Sequence, residues 1–251
     1  MKTDLLSRLG LFLGINAYTA RAVGATLWAA WQGEPVRPAA DANLRRWSDD
    51  LMRLMQIDCQ VFNPHQVQVQ PGQRYVMMSN HRSFFDIPVL YQALECSLRM
   101  VAKKELYKWP IWGRGLRIGE FIQIDRSDRD KAIASLEVAK DHMSSGIVVW
   151  IAPEGTRSRN GQLLPLKKGG FLLSIQSGAT ILPVGLQGTE RVMPPDSFEF
   201  RLGERVEIHL GAPIDASAYT VQQRDFLMER VAAELRRLSG EIPQTSEVAF
   251  S

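Results

Sequence analysis

The chain has 251 residues, 45% of them apolar and 23% charged, with a formal net charge of +3 and a pI near 8.9. That is enough apolar content to bury one substantial core, which excludes a disordered chain. The charge is too small for a dedicated nucleic-acid binder and suits a phosphate-bearing ligand or an anionic membrane surface. Cys59 and Cys96, the only cysteines, fit none of the zinc or redox spacings. Neither a disulfide scaffold nor a metal site is expected, and a reducing, cytoplasmic setting fits best.

From Leu9 to Gly33 the only charge is Arg21, and Trp28 and Trp31 stand near the far end. The stretch is long enough to span a bilayer. Arg21 at its middle would cost about 2.5–3.5 kcal/mol on insertion, and Asn16, Thr19, Thr26 and three interior glycines dilute it further. At helical spacing Arg8, Thr19 and Thr26 share one narrow arc while Arg21 points elsewhere, so the segment reads as an imperfect amphipathic helix. An interfacial or half-inserted helix on the cytoplasmic face is expected ahead of a single span, and a cleaved signal peptide last. After a breaker stretch at 33–38, residues 41–57 read as a second helix, with Leu44, Trp47, Leu51, Leu54 and Met55 on one stripe. Residues 1–57 are thus expected to be a two-helix membrane-associating element.

Strands and helices alternate from Cys59 onward. β-rich runs fall at 59–62, 67–69, 75–79, 99–102, 121–124, 147–151, 180–185 and 205–210, and helical patterns at 87–94, 128–144, 168–177 and 221–238. The fold class is therefore α/β, a largely buried sheet flanked by helices, because "IVVWI" and "ATILPVG" are nearly continuous in apolar residues as strands covered on both faces are. The α/β domain is expected over 58–240, with 241–251 a loosely held tail.

Chemistry concentrates in a few stretches. "SNHRSFFDIP" places His81 in a strand-to-helix turn, and Ser83 and Asp86 have the spacing of a helix cap. Such a turn allows Asp86 to accept from one imidazole nitrogen and leave the other as a base; alternatively, Asp86 only caps the helix. In "APEGTRSR" a buried strand ends in Glu154, Gly155, Thr156 and Arg157, a set of guanidinium, hydroxyl and close backbone that suits a phosphate or, alternatively, a solvated surface turn. The nucleoside-triphosphate loop GxxxxGK[ST] is absent. Arg126 follows another strand in "FIQIDR", and "LKKGG" and "ILPVG" complete the series.

In this order and spacing, "NHRSFFD", "FIQIDR", "PEGTRSR" with "LKKGG", and "ILPVG" resemble the four sequence blocks of the glycerolipid acyltransferases, the 1-acylglycerol-3-phosphate acyltransferase family. The resemblance covers roughly residues 58 to 215, and the two N-terminal helices resemble that family's membrane-facing element. Ala152 stands where members usually carry phenylalanine, and Arg82 fills a variable position. The resemblance implies that His81 takes the proton of a lysophospholipid hydroxyl as it attacks the thioester carbonyl of a fatty acyl donor, with Asp86 orienting the ring. It implies that Arg126, Glu154, Gly155, Thr156 and Arg157 hold the acceptor's glycerol phosphate. Acyl-CoA or acyl carrier protein would be the donor substrate, phosphatidic acid the product and membrane lipids the partners, with no cofactor, metal or nucleic acid. Lys103 or backbone amides would stabilise the oxyanion. Alternatives are a different acceptor (glycerol 3-phosphate or another lyso-lipid), hydrolysis, and a non-catalytic lipid-binding module, against which an intact His81 and Asp86 pair argues.

Overall fold

The computed structural model describes residues 4–124 and 129–241, the side chains of 124–134 and 136 excepted. In chain order it contains α1 (Leu5–Trp31), α2 (Val36–Leu54), β1 (Asp58–Phe62), β2 (Tyr75–Ser79), α3 (Asp86–Leu90), β3 (Leu98–Lys103), α4 (Pro110–Ile118), β4 (Ile122–Ile124) and α5 (Arg129–Ser144). There follow β5 (Val148–Ile151), α6 (Gly169–Ser177), β6 (Thr180–Gln187), α7 (Thr189–Val192), β7 (Arg205–Leu210), β8 (Ile214–Asp215) and α8 (Arg224–Leu238). The strands form one mixed sheet in the order β1-β7-β6-β2-β5-β3-β4, with β8 beside β6. The run from β6 to β4 is parallel, and β7 enters antiparallel to β6.

Alternation along β2 explains the layers. Met77 joins a core cluster on one face with Trp47 and Leu51 of α2 and Phe85 and Val89 beside α3, while Val76 and Met78 join Met143, Phe171, Leu227, Val231 and Leu235 on the other. All five residues of β2 are buried. Each such apolar side chain contributes roughly 1.5–3 kcal/mol, so the centre of the sheet is the most secure part of the molecule. Two strand ends carry the functional turns: β2 runs into His81 and β5 into Glu154.

One expectation is corrected, and two features that the pattern left open are now placed. Residues 67–69 form no strand, because Asn63 occupies the backbone of Val67 in both senses, donating to its carbonyl at 3.0 Å and accepting from its N–H at 2.8 Å. The segment 104–118, unassigned from its pattern, forms a 3-10 turn and α4. Its glycines are the reason for both the silence and the fold: a Cβ on Gly113 would meet the Tyr107 carbonyl at 2.2 Å, and one on Gly115 would meet Val23 of α1 at 2.6 Å. Third, the threonine arc of α1 faces inward. Thr19 and Thr26 are buried, each donating to the carbonyl four residues back, and they accept from Trp47 Nε1 at 3.0 Å and Asn43 Nδ2 at 3.2 Å of α2.

Arg21 pairs with Asp50 of α2, whose other oxygen takes Arg53 at 2.6 Å. What α1 shows to the outside is Leu5, Leu6, Leu9, Phe12, Leu13, Trp28 and Trp31. No described helix is long and apolar enough to cross a membrane. At the other end of α2, the fully buried Arg99 of β3 forms an ion pair with Asp41 at 2.6 Å and donates to the Leu98 carbonyl at 2.9 Å, and Arg37 holds Glu120 at 2.6 Å. The helical pair is thereby tied to the sheet by charge as well as by packing.

Candidate active site

The chain leaves β2 through Asn80, whose side-chain amide pairs with the backbone of Leu186 on β6 in both directions, at 2.9 and 2.8 Å. This closes the strand end and fixes where His81 departs. His81 Nδ1 lies 2.7 Å from Asp86 Oδ2. That oxygen also accepts from the backbone N–H groups of Arg82 at 2.7 Å and Ser83 at 2.9 Å, while Oδ1 accepts from Thr189 Oγ1 at 2.5 Å. The dyad reading is the one realised: the helix begins at Asp86 itself behind Phe85, with no side-chain cap bond, and the carboxylate orients the ring while it gathers the N–H groups of the turn before the helix. A carboxylate only accepts, so Nδ1 carries the proton and Nε2 presents its lone pair. No described residue hydrogen-bonds Nε2. Trp150 stands edge-on to the imidazole, with ring centroids 5.9 Å apart, and limits its rotation.

Glu154 takes a different role from the one expected. It is buried, and its two oxygens accept from the His81 N–H and the Leu164 N–H, both at 2.8 Å. With both oxygens committed to backbone, and with the negative charge a phosphate would meet, it is a brace between the β2 and β5 turns rather than a phosphate ligand. Burial raises its pKa above the ordinary 4.5, against the opposing pull of the Leu164 and His81 amides and of the nearby His81 and Arg82. A second link between the turns runs from the Ser158 N–H to the His81 carbonyl at 2.8 Å.

Gly155 sits at φ +77°, a left-handed conformation that favours glycine, and lets the chain reverse out of β5. Thr156 is exposed, Arg157 half-buried. Arg157 lies one residue from the Ser158 link, and its guanidinium donates to Asp196 at 3.3 Å. Lys103 is exposed at the end of β3, which is separated from β2 by β5; at one strand spacing per step that is about 10 Å from the β2 end. Among the described residues no hydrogen bond or ion pair joins it to His81 or Asp86. Arg126 lies outside the described residues.

Two neighbours carried no legible signal. Arg82, adjacent to His81, is nearly buried (8% exposed) and donates to Glu241 at 2.9 Å, whose side chain is 5% exposed. Glu241 opens the stretch expected to be a loose tail, and here it is the counter-ion of the turn that carries His81; residues 242–251 lie outside the described residues. Thr189, from α7, is the other. Nothing in a single sequence marks a threonine 103 positions downstream as the second anchor of Asp86.

An apolar cavity of about 190 Å³ adjoins this turn. Phe84 and Ile87, which flank Asp86, line one part of it, Thr19 and Val23 of α1 and Trp47 of α2 another, and Gly119 and Phe121 the end beyond α4. Neither cysteine offers a nucleophile, since burial pushes the Cys59 thiol up to about 11 and Cys96 up to about 12.

The profile of the family described as Acyltransferase matches residues 59–187, more than half of the chain and the span that holds both turns. The chain belongs to the acyltransferase family. This acyltransferase is 30% identical over 173 residues to the human 1-acyl-sn-glycerol-3-phosphate acyltransferase alpha, covering 68% of its own length and 61% of the human protein's. It is 30% identical over 161 residues to the 1-acyl-sn-glycerol-3-phosphate acyltransferase of Cocos nucifera, covering 64% and 52%. It therefore spans less than two thirds of the length of these relatives. Its fold matches the crystal structure of the 1-acyl-sn-glycerophosphate acyltransferase of Thermotoga maritima with a TM-score of 0.80, over 97% of this chain and 98% of that one, at 21% identity.

Proposed function

We propose that the protein transfers a fatty acyl group from a thioester donor to the free hydroxyl of 1-acylglycerol-3-phosphate, forming phosphatidic acid. The observation that carries this reading is the 2.7 Å contact between His81 Nδ1 and Asp86, which leaves Nε2 as a base in a turn whose Phe84 and Ile87 line an apolar cavity. Nε2 takes the hydroxyl proton as the oxygen attacks the thioester carbonyl, the tetrahedral intermediate collapses, and the thiol of the donor leaves with a proton returned from the imidazolium. General-base help of this kind supplies about 10²–10⁴-fold. Asp86 stabilises the imidazolium that forms, and its four donors hold it in place for that purpose.

The apolar cavity suits an acyl chain, and Gly155, Thr156 and Arg157 suit the acceptor's phosphate. The outward apolar face of α1 suits the lipid interface, which delivers both substrates, with the protein bound peripherally or half inserted. Coenzyme A and acyl carrier protein both satisfy the chemistry as donors. Purified protein assayed with radiolabelled acyl-CoA and acyl carrier protein, against lysophosphatidic acid, glycerol 3-phosphate and a lysophosphodiester, tests the reading directly. Transfer to lysophosphatidic acid by neither donor ends it. Leu6→Glu combined with Leu13→Glu, both on the exposed face, is expected to abolish co-sedimentation with anionic vesicles while leaving the fold intact; unchanged sedimentation ends the α1 anchor.

A further inference from the structure

The loop between α7 and β7 brings a carboxylate to Arg157, assigned to the acceptor, and to its neighbour Arg159. Asp196 Oδ1 accepts from Arg157 Nη2 at 3.3 Å, and its Oδ2 accepts from Arg159 Nε at 2.7 Å. The presentation is built. Asp196 has φ +58°, the residue before it is Pro195, and the Ser197 N–H reaches the Pro194 carbonyl at 3.3 Å, the pattern of a type II turn. Both ends of the loop are pinned. The Arg201 N–H bonds the Val192 carbonyl at 3.0 Å, Phe200 is buried, and Ser83 of the catalytic turn donates to the Met193 carbonyl at 2.8 Å. Two residues beyond Asp196, Phe198 stands edge-on to Phe12 of α1 at 6.2 Å, which puts the loop on the side where the outward apolar face of that helix lies.

From this geometry we infer that Asp196 is an internal stand-in for the acceptor phosphate, holding Arg157 and Arg159 in its absence and competing with it for them. This rests on the assignment of Arg157 to the acceptor headgroup. Acceptor and product carry the same phosphate monoester, so a site that grips it without opposition would retain the product as firmly as it takes the substrate. A tethered carboxylate weakens both by one factor, because what it competes for is the headgroup and not the acyl chains. The exchange is easy, since Arg157 is one third exposed and Asp196 about half, and exposed ion pairs are weak.

Asp196→Asn is the discriminating variant, because asparagine accepts the left-handed turn position and can still orient the guanidinium groups while it gives up the charge. The expected result is an acceptor KM lower by about fivefold, the scale of two exposed ion pairs lost together. The inhibition constants of phosphatidic acid and of inorganic phosphate should fall by the same factor, with the donor KM unchanged. Equal or raised acceptor KM and phosphate inhibition constant in Asp196→Asn, alongside an acceptor KM raised in Arg157→Ala, overturns the inference and leaves the acceptor site standing. An acceptor KM unmoved by Arg157→Ala overturns both.

Discussion

The turns that follow β2 and β5 lie side by side and are built in opposite ways. At the first, Asp86 and the Glu154 that reaches across from the β5 strand end to the His81 N–H are buried, and every carboxylate oxygen meets a donor from the protein itself. In the second, Arg157 and Arg159 stand partly or largely in solvent and share one exposed carboxylate. Burial raises the energetic stakes of each polar contact, so the first arrangement is rigid and intolerant; exposure lowers them, so the second exchanges partners. The difference separates two tasks. On the proposed mechanism the base must be in register before any substrate arrives, whereas the groups proposed to bind phosphate must let go of a product that resembles the substrate.

The comparison breaks first at the dyad. His81→Ala is expected to keep the fold and lower kcat by at least about 100-fold; a folded variant with near-normal turnover in the radiolabelled assay would falsify the assignment. Next comes the brace. Glu154→Gln places an amide NH2 against one of two backbone donors, and kcat is expected to fall by about tenfold or more together with the thermal midpoint. If only stability changes, Glu154 holds the fold without holding the base. Third, Glu241→Gln leaves Arg82 charged and nearly buried without its counter-ion, at an expected cost of about 3 kcal/mol in denaturant unfolding, whereas Arg82→Met with Glu241→Leu is expected to recover most of it. Failure of the paired change to recover stability would show that the contact is incidental.

The smallest effect sharpens the contrast through pH. Burial raises Glu154, so the folded state keeps that proton longer than the unfolded chain; its contribution to stability is full below about 4.5 and is lost as pH rises through the raised value. Glu120 behaves oppositely. Its bond to Arg37 lowers its pKa, so its contribution is present above 4.5 and is lost as pH falls through the lowered value. The pair is about a quarter exposed on each side, and Glu120→Gln is expected to cost about 1 kcal/mol at neutral pH, with the deficit closing in acid. A deficit that persists at low pH would assign the effect to packing instead of charge.

How far the sequence could be read followed the range of the interactions. β2 and β7 carry period and apolar runs of their own, and their bounds are those expected from the pattern. The dyad was legible because its two members are five residues apart on one turn. Glu154 was placed in the right turn with the wrong task, since no local pattern says whether a carboxylate points to solvent or back toward the amide of residue 81. Thr189, Asp196 and Glu241 were silent because their partners are distant in the chain. The orientation of α1 was not legible. Threonines that bond their own helix carbonyls are apolar enough to bury, and leucines on the outer face say nothing of which medium covers them.

The pairing of β1 with β7, Asp58 against Arg205, also governs how the molecule is made. Contacts between such distant segments form late, because the intervening chain must be closed before they are rewarded. The parallel centre waits too, since β2 requires β6, and β6 ends at residue 187. The first helix is complete at residue 31. At ordinary synthesis rates the interval is on the order of ten seconds, during which the segment that carries the outward leucines, phenylalanine and tryptophans has emerged while the sheet cannot yet close. Translation thus gives the outward apolar face a head start over the core.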